Sequence, residues 1–189
     1  MLICVTGQIG SGKTSVLDEF KNLGFKTFEM DKYIHEVYKK NEIGYNLIKK
    51  NFGDSYVNNT EVNRKKLGQL VFNNNKMLDK LNALTIPLIQ QKILELKQQN
   101  ELIFVELGIF LKYEKQFKDL FDYVILVKGK SEIETKKLQD LSWFKKKSQI
   151  FSPIQVHNEN KFIVLENIKD KNYIKNLAKN ALKILGIKK

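Results

Sequence analysis

Cysteine, histidine, proline and arginine are all scarce in this chain, and each scarcity closes off a class of protein. A single cysteine, Cys4, and two histidines, His35 and His157, cannot build a disulfide framework or a zinc site of cysteine and histidine. Cys4 is expected as a buried strand residue, and the histidines as surface residues. Uninterrupted apolar runs reach only about five residues, far short of the roughly twenty needed to cross a bilayer. No membrane anchor is expected. The first residues enter an apolar strand with no basic segment and longer apolar stretch ahead of it, so no secretory signal is read and a cytoplasmic location is predicted. There is no internal repeat and no linker-like tract. With 189 residues, 42% of them hydrophobic, the chain can bury a sizeable core as one domain carrying an inserted lobe. The net charge of +12 raises the question of nucleic acid or of anionic small molecules. The lysines, however, are spread along the chain and are not concentrated beside exposed aromatics. Nucleic acid is therefore the least favoured partner. Against that lysine background the only arginine, Arg64, stands out, because a planar two-pronged donor is used once where ammonium groups are used everywhere else.

What is present begins at Gly7-Gln8-Ile9-Gly10-Ser11-Gly12-Lys13-Thr14, which follows an apolar run at residues 2–5 and opens a segment with helical patterning. The run matches G-x-x-x-x-G-K-[ST], the phosphate-binding loop. Its glycines let successive N–H groups turn into one concavity, and the following helix adds the positive end of its dipole. Gln8, Ile9, Gly10, Ser11, Gly12, Lys13, Thr14 and Ser15 are therefore expected to surround the phosphates of ATP. Lys13 reaches the outer phosphates, and the Thr14 hydroxyl ligates the accompanying Mg2+.

The rest of the chain reads as an α/β fold. Residues 2–6 lack polar alternation, as in a central parallel strand covered on both faces. Val16, Leu17, Phe20 and Leu23 share a helical face that Gly24 is placed to end in a left-handed cap. Residues 26–30 read as a second strand ending at Asp31, 102–105 as a third, 123–127 as a fourth and 162–165 as a fifth. Residues 111–120 are helical in pattern, and Ile174, Leu177, Ala178, Ala181, Leu182 and Leu185 mark a last helix stopped by Gly186. The expectation is a phosphate-loop NTPase-like sheet of five parallel strands flanked by helices. Its core comprises 1–31, 101–130 and 160–189, with a helical acceptor lobe over 32–100 and a helical lid over 131–159. Within the lobe, Pro87 is expected to end or kink a helix near Ile86. In the lid, a lysine run, Lys145-Lys146-Lys147, surrounds Trp143 and Phe144; it reads either as a solvated hairpin or as a moving cover. A lobe and a lid that close over donor and acceptor suit a small-molecule kinase, which must exclude water during phosphoryl transfer.

At this level of detail the chain resembles the dephospho-coenzyme A kinase family over nearly its whole length. Val5 to Thr14 looks like that family's loop, and Met30-Asp31 like the end of its Asp-Ala-Asp motif, with Glu29 in the first acidic place. The segment 63–72, Asn-Arg-Lys-Lys-Leu-Gly-Gln-Leu-Val-Phe, is similar to the family's Arg-x-x-Leu-x-x-x-Val-Phe. Residues 81–89, Leu-Asn-Ala-Leu-Thr-Ile-Pro-Leu-Ile, follow at similar spacing and are similar to its Leu-x-x-Leu-x-His-Pro-x-Ile. The resemblance implies phosphorylation of the ribose 3′-hydroxyl of dephospho-coenzyme A by ATP, and a monomer or weak homo-oligomer is expected. Asp31 is then the expected general base, although it is also placed to cap the following helix. Arg64, in the acceptor lobe, is expected to hold the acceptor's pyrophosphate, against the alternative of an ion pair between lobe helices. Three departures stand out. Ile86 replaces the family histidine. Gly108 to Glu114 keeps a glutamate but loses the aspartate and proline of Asp-x-Pro-Leu-Leu-x-Glu, so that Glu106 is expected to take over the acceptor contact. Gln139-Asp140 stands where a Gln-Arg pair is usual, which leaves Lys136 and Lys137 as the lid charges. Other readings are a different nucleoside or nucleotide kinase, and a nucleotide-binding protein with degenerate catalytic residues.

Overall fold

Strand β1 (Leu2–Thr6) is buried along its whole length, which is why its residues run apolar without alternation. In the computed structural model, which describes residues 1–129, 154–157, 162–167 and 171–187, the chain divides into two compact units. One comprises Met1–Phe28 with Asn100–Lys189, and the other Glu29–Gln99.

The first unit is built on a six-stranded sheet, in the order β2-β3-β1-β4-β6-β5. Its strands are β1, β2 (Lys26–Glu29), β3 (Ile103–Glu106), β4 (Tyr123–Gly129), β5 (Ile154–His157) and β6 (Phe162–Asn167). β1 lies in parallel register with β3 on one side (Cys4 beside Val105) and β4 on the other (Cys4 beside Val124), and β4 pairs in parallel with β6. The five parallel strands read from the sequence are joined by β5, antiparallel to β6. That edge strand falls inside the segment expected to be all helical lid. Edge pairing depends on a neighbouring strand's free backbone groups and leaves little trace in a local apolar pattern.

Helix α1 (Lys13–Asn22) turns Val16, Leu17 and Phe20 inward, and Phe20 stacks on Phe104 of β3 with ring centroids 3.9 Å apart. Burying such a ring is worth about 1.5–3 kcal/mol. The helix ends as the sequence predicts: Gly24 takes φ 78°, and the Phe25 amide closes back to the Phe20 carbonyl at 3.0 Å. The last helix, α7 (Lys171–Ile184), buries Ile174, Leu177, Ala178, Ala181 and Leu182 in the same cluster as α1. It ends alike, with Gly186 at φ 70° and the Ile187 amide on the Leu182 carbonyl at 2.9 Å. Between β3 and β4 the chain makes only a short helix α6 (Glu114–Phe117) and a 3-10 turn (Lys118–Leu120).

The second unit is helical: α2 (Met30–Val37), α3 (Ile43–Phe52), α4 (Arg64–Phe72) and α5 (Asn75–Gln98). Val37, Tyr38, Tyr45, Ile48, Val62, Leu67 and Leu88 form its core. Asn63 caps α4 through the Lys66 amide (3.0 Å), and Asn74 caps α5 through the Met77 amide (3.2 Å). Pro87, expected to end or kink its helix, does not end it: it lies inside α5, a helix of 24 residues. The lost backbone bond is outweighed by burial of Leu88, Ile89, Ile93 and Leu96 beyond it. Among the described residues no helix is long and apolar enough to cross a membrane.

Candidate active site

The donor half of the site begins where β1 ends. The Thr6 hydroxyl donates to the Leu107 carbonyl at 2.9 Å, which ties the strand end to the turn after β3. At Gly7 the backbone passes so close to β4 that an added Cβ would lie 2.2 Å from the Val127 carbonyl oxygen. Only glycine fits there. The loop then closes with the Ser11 amide on the Gln8 carbonyl (3.2 Å), and α1 starts after Gly12, which sits at φ 94°. No side chain caps α1. Its first-turn amides are thus left to whatever anion the loop accepts, with the helix dipole behind them.

Lys13 lies across this loop, its ammonium donating to the Gln8 carbonyl at 2.8 Å. Thr14 and Ser15 are exposed on the first turn, and Gln8, Ile9 and Gly10 are exposed at the tip. Ser11 is different: it is only 1% exposed, so it can offer a ligand backbone groups but not its hydroxyl. The Thr14 hydroxyl donates to a carboxylate oxygen of Glu106, at the carboxyl end of β3, across 3.4 Å. That pairing sets Glu106, expected from the sequence to contact either the acceptor or a metal, beside the phosphate loop.

The loop has a further support from the end of β6, two strands from β1 in the sheet. Asn167, the last residue of β6, donates from Nδ2 to the Ser11 carbonyl at 3.0 Å. No sequence signal marks it.

The other candidate residues lie in the helical unit. Asp31 is exposed in the first turn of α2, two residues after β2 ends. The residue at the N-cap is Glu29, so the alternative of Asp31 as the cap falls away. Arg64, at the start of α4, brings Nη1 to 2.6 Å from Nε2 of His35 on α2. A guanidinium can only donate, so His35 accepts through Nε2 and carries its own proton on Nδ1. Among the described residues no carboxylate lies within ion-pair distance of Arg64, which removes the expected alternative of an ion pair between lobe helices. Among the described residues no carboxylate compensates its charge, and the imidazole holds the guanidinium in place. His35, set aside as an ordinary surface residue, has a readable signal in retrospect: it stands four residues after Asp31, on the same helical face. Lys136 and Lys137 lie outside the described residues.

Burial pushes the Cys4 thiol well above its ordinary value, so this cysteine is inert. Burial likewise raises the Tyr38 hydroxyl to about 12.

Comparison with known proteins gives a consistent answer. A family model for dephospho-CoA kinase matches residues 1–168. The dephospho-CoA kinase of Mycoplasma genitalium is 42% identical over 149 residues, covering 77% of this chain and 75% of that relative. The Staphylococcus aureus dephospho-CoA kinase is 30% identical over 193 aligned positions, with coverage of 98% and 93%. Among solved structures, dephospho-CoA kinase from Campylobacter jejuni aligns at TM-score 0.63 and 26% identity, covering 97% of this chain and 96% of that one.

Proposed function

This chain belongs to the dephospho-CoA kinase family, and from that membership we propose that it moves the γ-phosphoryl group of ATP to the ribose 3′-hydroxyl of dephospho-coenzyme A, giving coenzyme A and ADP. The observation that carries the donor half is the formed phosphate loop, with free first-turn amides and Lys13 lying across it. Lys13 exchanges the Gln8 carbonyl for the outer phosphates as the nucleotide enters, and the α1 dipole offsets the remaining charge.

Thr14 and Glu106 suit Mg2+: two hard oxygen donors 3.4 Å apart, where this ion typically takes one or two protein oxygens and fills its shell with water and phosphate. Among the described residues no denser cluster of acidic, histidine or cysteine side chains competes for it. When bound, the ion neutralises charge on the β- and γ-phosphates.

Asp31 accepts the proton of the 3′-hydroxyl as the ribose oxygen bonds to the γ-phosphorus and the bridge to ADP breaks. Arg64, oriented by His35 and with no carboxylate at ion-pair distance among the described residues, binds the acceptor's pyrophosphate through paired N–H groups. Residues 32–100 serve as the acceptor lobe, and Lys136 and Lys137 of the 131–159 lid contribute positive charge over the transferring group. The decisive experiment supplies ATP, Mg2+ and dephospho-coenzyme A and follows coenzyme A by mass. Formation of coenzyme A is expected; phosphorylation of another acceptor from a nucleoside and nucleotide panel, with none of this one, overturns the substrate assignment.

A further inference from the structure

The backbone of the phosphate loop is held by a side chain from a distant part of the sequence. Asn167 donates to the Ser11 carbonyl at 3.0 Å from 156 residues away, and its approach is so close that a Cβ on Gly12 would fall 2.2 Å from Nδ2. Gly12 therefore meets two demands: a backbone at φ 94°, and room for this amide. A residue needed only to plug the end of the sheet could be apolar. Instead the corner buries two polar atoms, Asn167 Oδ1 and Ser11 Oγ, with no hydrogen-bond partner among the described residues. Such burial costs about 1–3 kcal/mol per group and is a feature that calls for a reason.

Peptide geometry supplies one. The Ser11 carbonyl and the Gly12 amide belong to the same planar unit, and in a trans peptide they point in opposite directions; no cis bond occurs among the described residues. Holding the carbonyl back against Asn167 therefore aims the Gly12 N–H the other way, into the concavity where phosphate oxygens are expected. Without that tether, a peptide flanked by glycine is free to rotate and to spoil the cradle. We propose that Asn167 is a positioning residue of the donor site, which presets the Ser11–Gly12 peptide for phosphate. The proposal rests on the reading of this loop as the ATP site.

Two variants test it. Asn167→Leu keeps the branched shape and the number of side-chain heavy atoms and removes the donor, and Asn167→Ala removes both donor and side-chain bulk. ADP affinity by calorimetry, the KM values for ATP and for dephospho-coenzyme A, and the melting temperature without nucleotide are measured for each. The expected result is a rise of about tenfold in the ADP dissociation constant and in KM for ATP, with KM for the acceptor unchanged and the apo fold intact. A purely structural role would not split donor from acceptor in this way. Wild-type ADP affinity in both variants, an equal rise in both KM values, or failure of both variants to fold overturns the proposal. Wild-type protein that binds no ADP overturns the donor-site reading itself, a result distinct from variants that match a binding wild type.

Discussion

Lys13 shows what a single residue contributes here. Its ammonium already bridges the loop to the Gln8 carbonyl at 2.8 Å, so the charge that must meet the transferring phosphate is in place and held by one replaceable bond. Lys13→Ala is expected to abolish turnover in the coenzyme A assay while the melting temperature stays close to wild type, because a partly exposed lysine contributes little to folding. Wild-type activity in that variant would remove the loop from the mechanism. Asp31 is the second case. It is exposed and caps nothing, so Asp31→Asn should leave folding and ADP affinity alone and lower turnover by roughly 100-fold or more, as loss of a general base does. A fall of less than threefold in single-turnover rate would leave Asp31 without that role. Both residues were legible in the sequence because their neighbours in the chain define them. Asn167 was not, since its partner Ser11 lies 156 residues away and no local pattern records such a contact; His35 is marked only by its spacing from Asp31, and its partner Arg64 lies 29 residues away.

At the scale of elements, the helical lobe places its one guanidinium by packing. Asn63 caps α4 at the Lys66 amide, α4 and α2 share the core of Val37 and Leu67, and Arg64 on the one thereby meets His35 on the other. Arg64→Lys conserves charge but loses the two-pronged geometry. Acceptor binding is expected to weaken by roughly tenfold, or about 1.4 kcal/mol, at constant ATP affinity. A lowered melting temperature with unchanged acceptor affinity would assign Arg64 to stability alone. The lobe's core also carries its own pH limit. Tyr38 holds its proton up to about 12 in the fold, against an ordinary value near 10. Between those values the unfolded chain has lost the proton while the folded chain keeps it, so the unfolded state binds fewer protons and stability falls as pH rises. The contribution is complete below pH 10, and about 2 kcal/mol is lost by pH 12. Denaturation followed at pH 9 and pH 11.5 should show this decline in wild type and a shallower one in Tyr38→Phe.

Over the whole molecule, chemistry is divided between a sheet unit that carries the phosphate loop and a helical unit that carries Asp31 and Arg64, with the 131–159 lid as the third contributor in the proposed cycle. In the segment proposed as the lid, Asp140 stands where the family pattern it resembles has an arginine. If lysines have taken over, Lys136→Ala and Lys137→Ala should each slow turnover, and the double variant by about tenfold or more, without loss of folding. Full rates in all three variants would show that the transition-state charge is met elsewhere.

The sequence by itself determined the phosphate loop, the parallel strands, the helix stops at Gly24 and Gly186 and the helical character of the lobe. All of these rest on contiguous patterns: positive-φ glycines, apolar runs and helical spacing that act within a few residues. Tertiary structure alone decided the rest. Packing carried α5 through Pro87, backbone pairing added β5 at the sheet edge, and strand register set Glu106 beside Thr14. Folding also brought Asn167 to Ser11 and His35 to Arg64, because a hydrogen bond depends on where two groups stand in space, and separation along the chain places almost no limit on that.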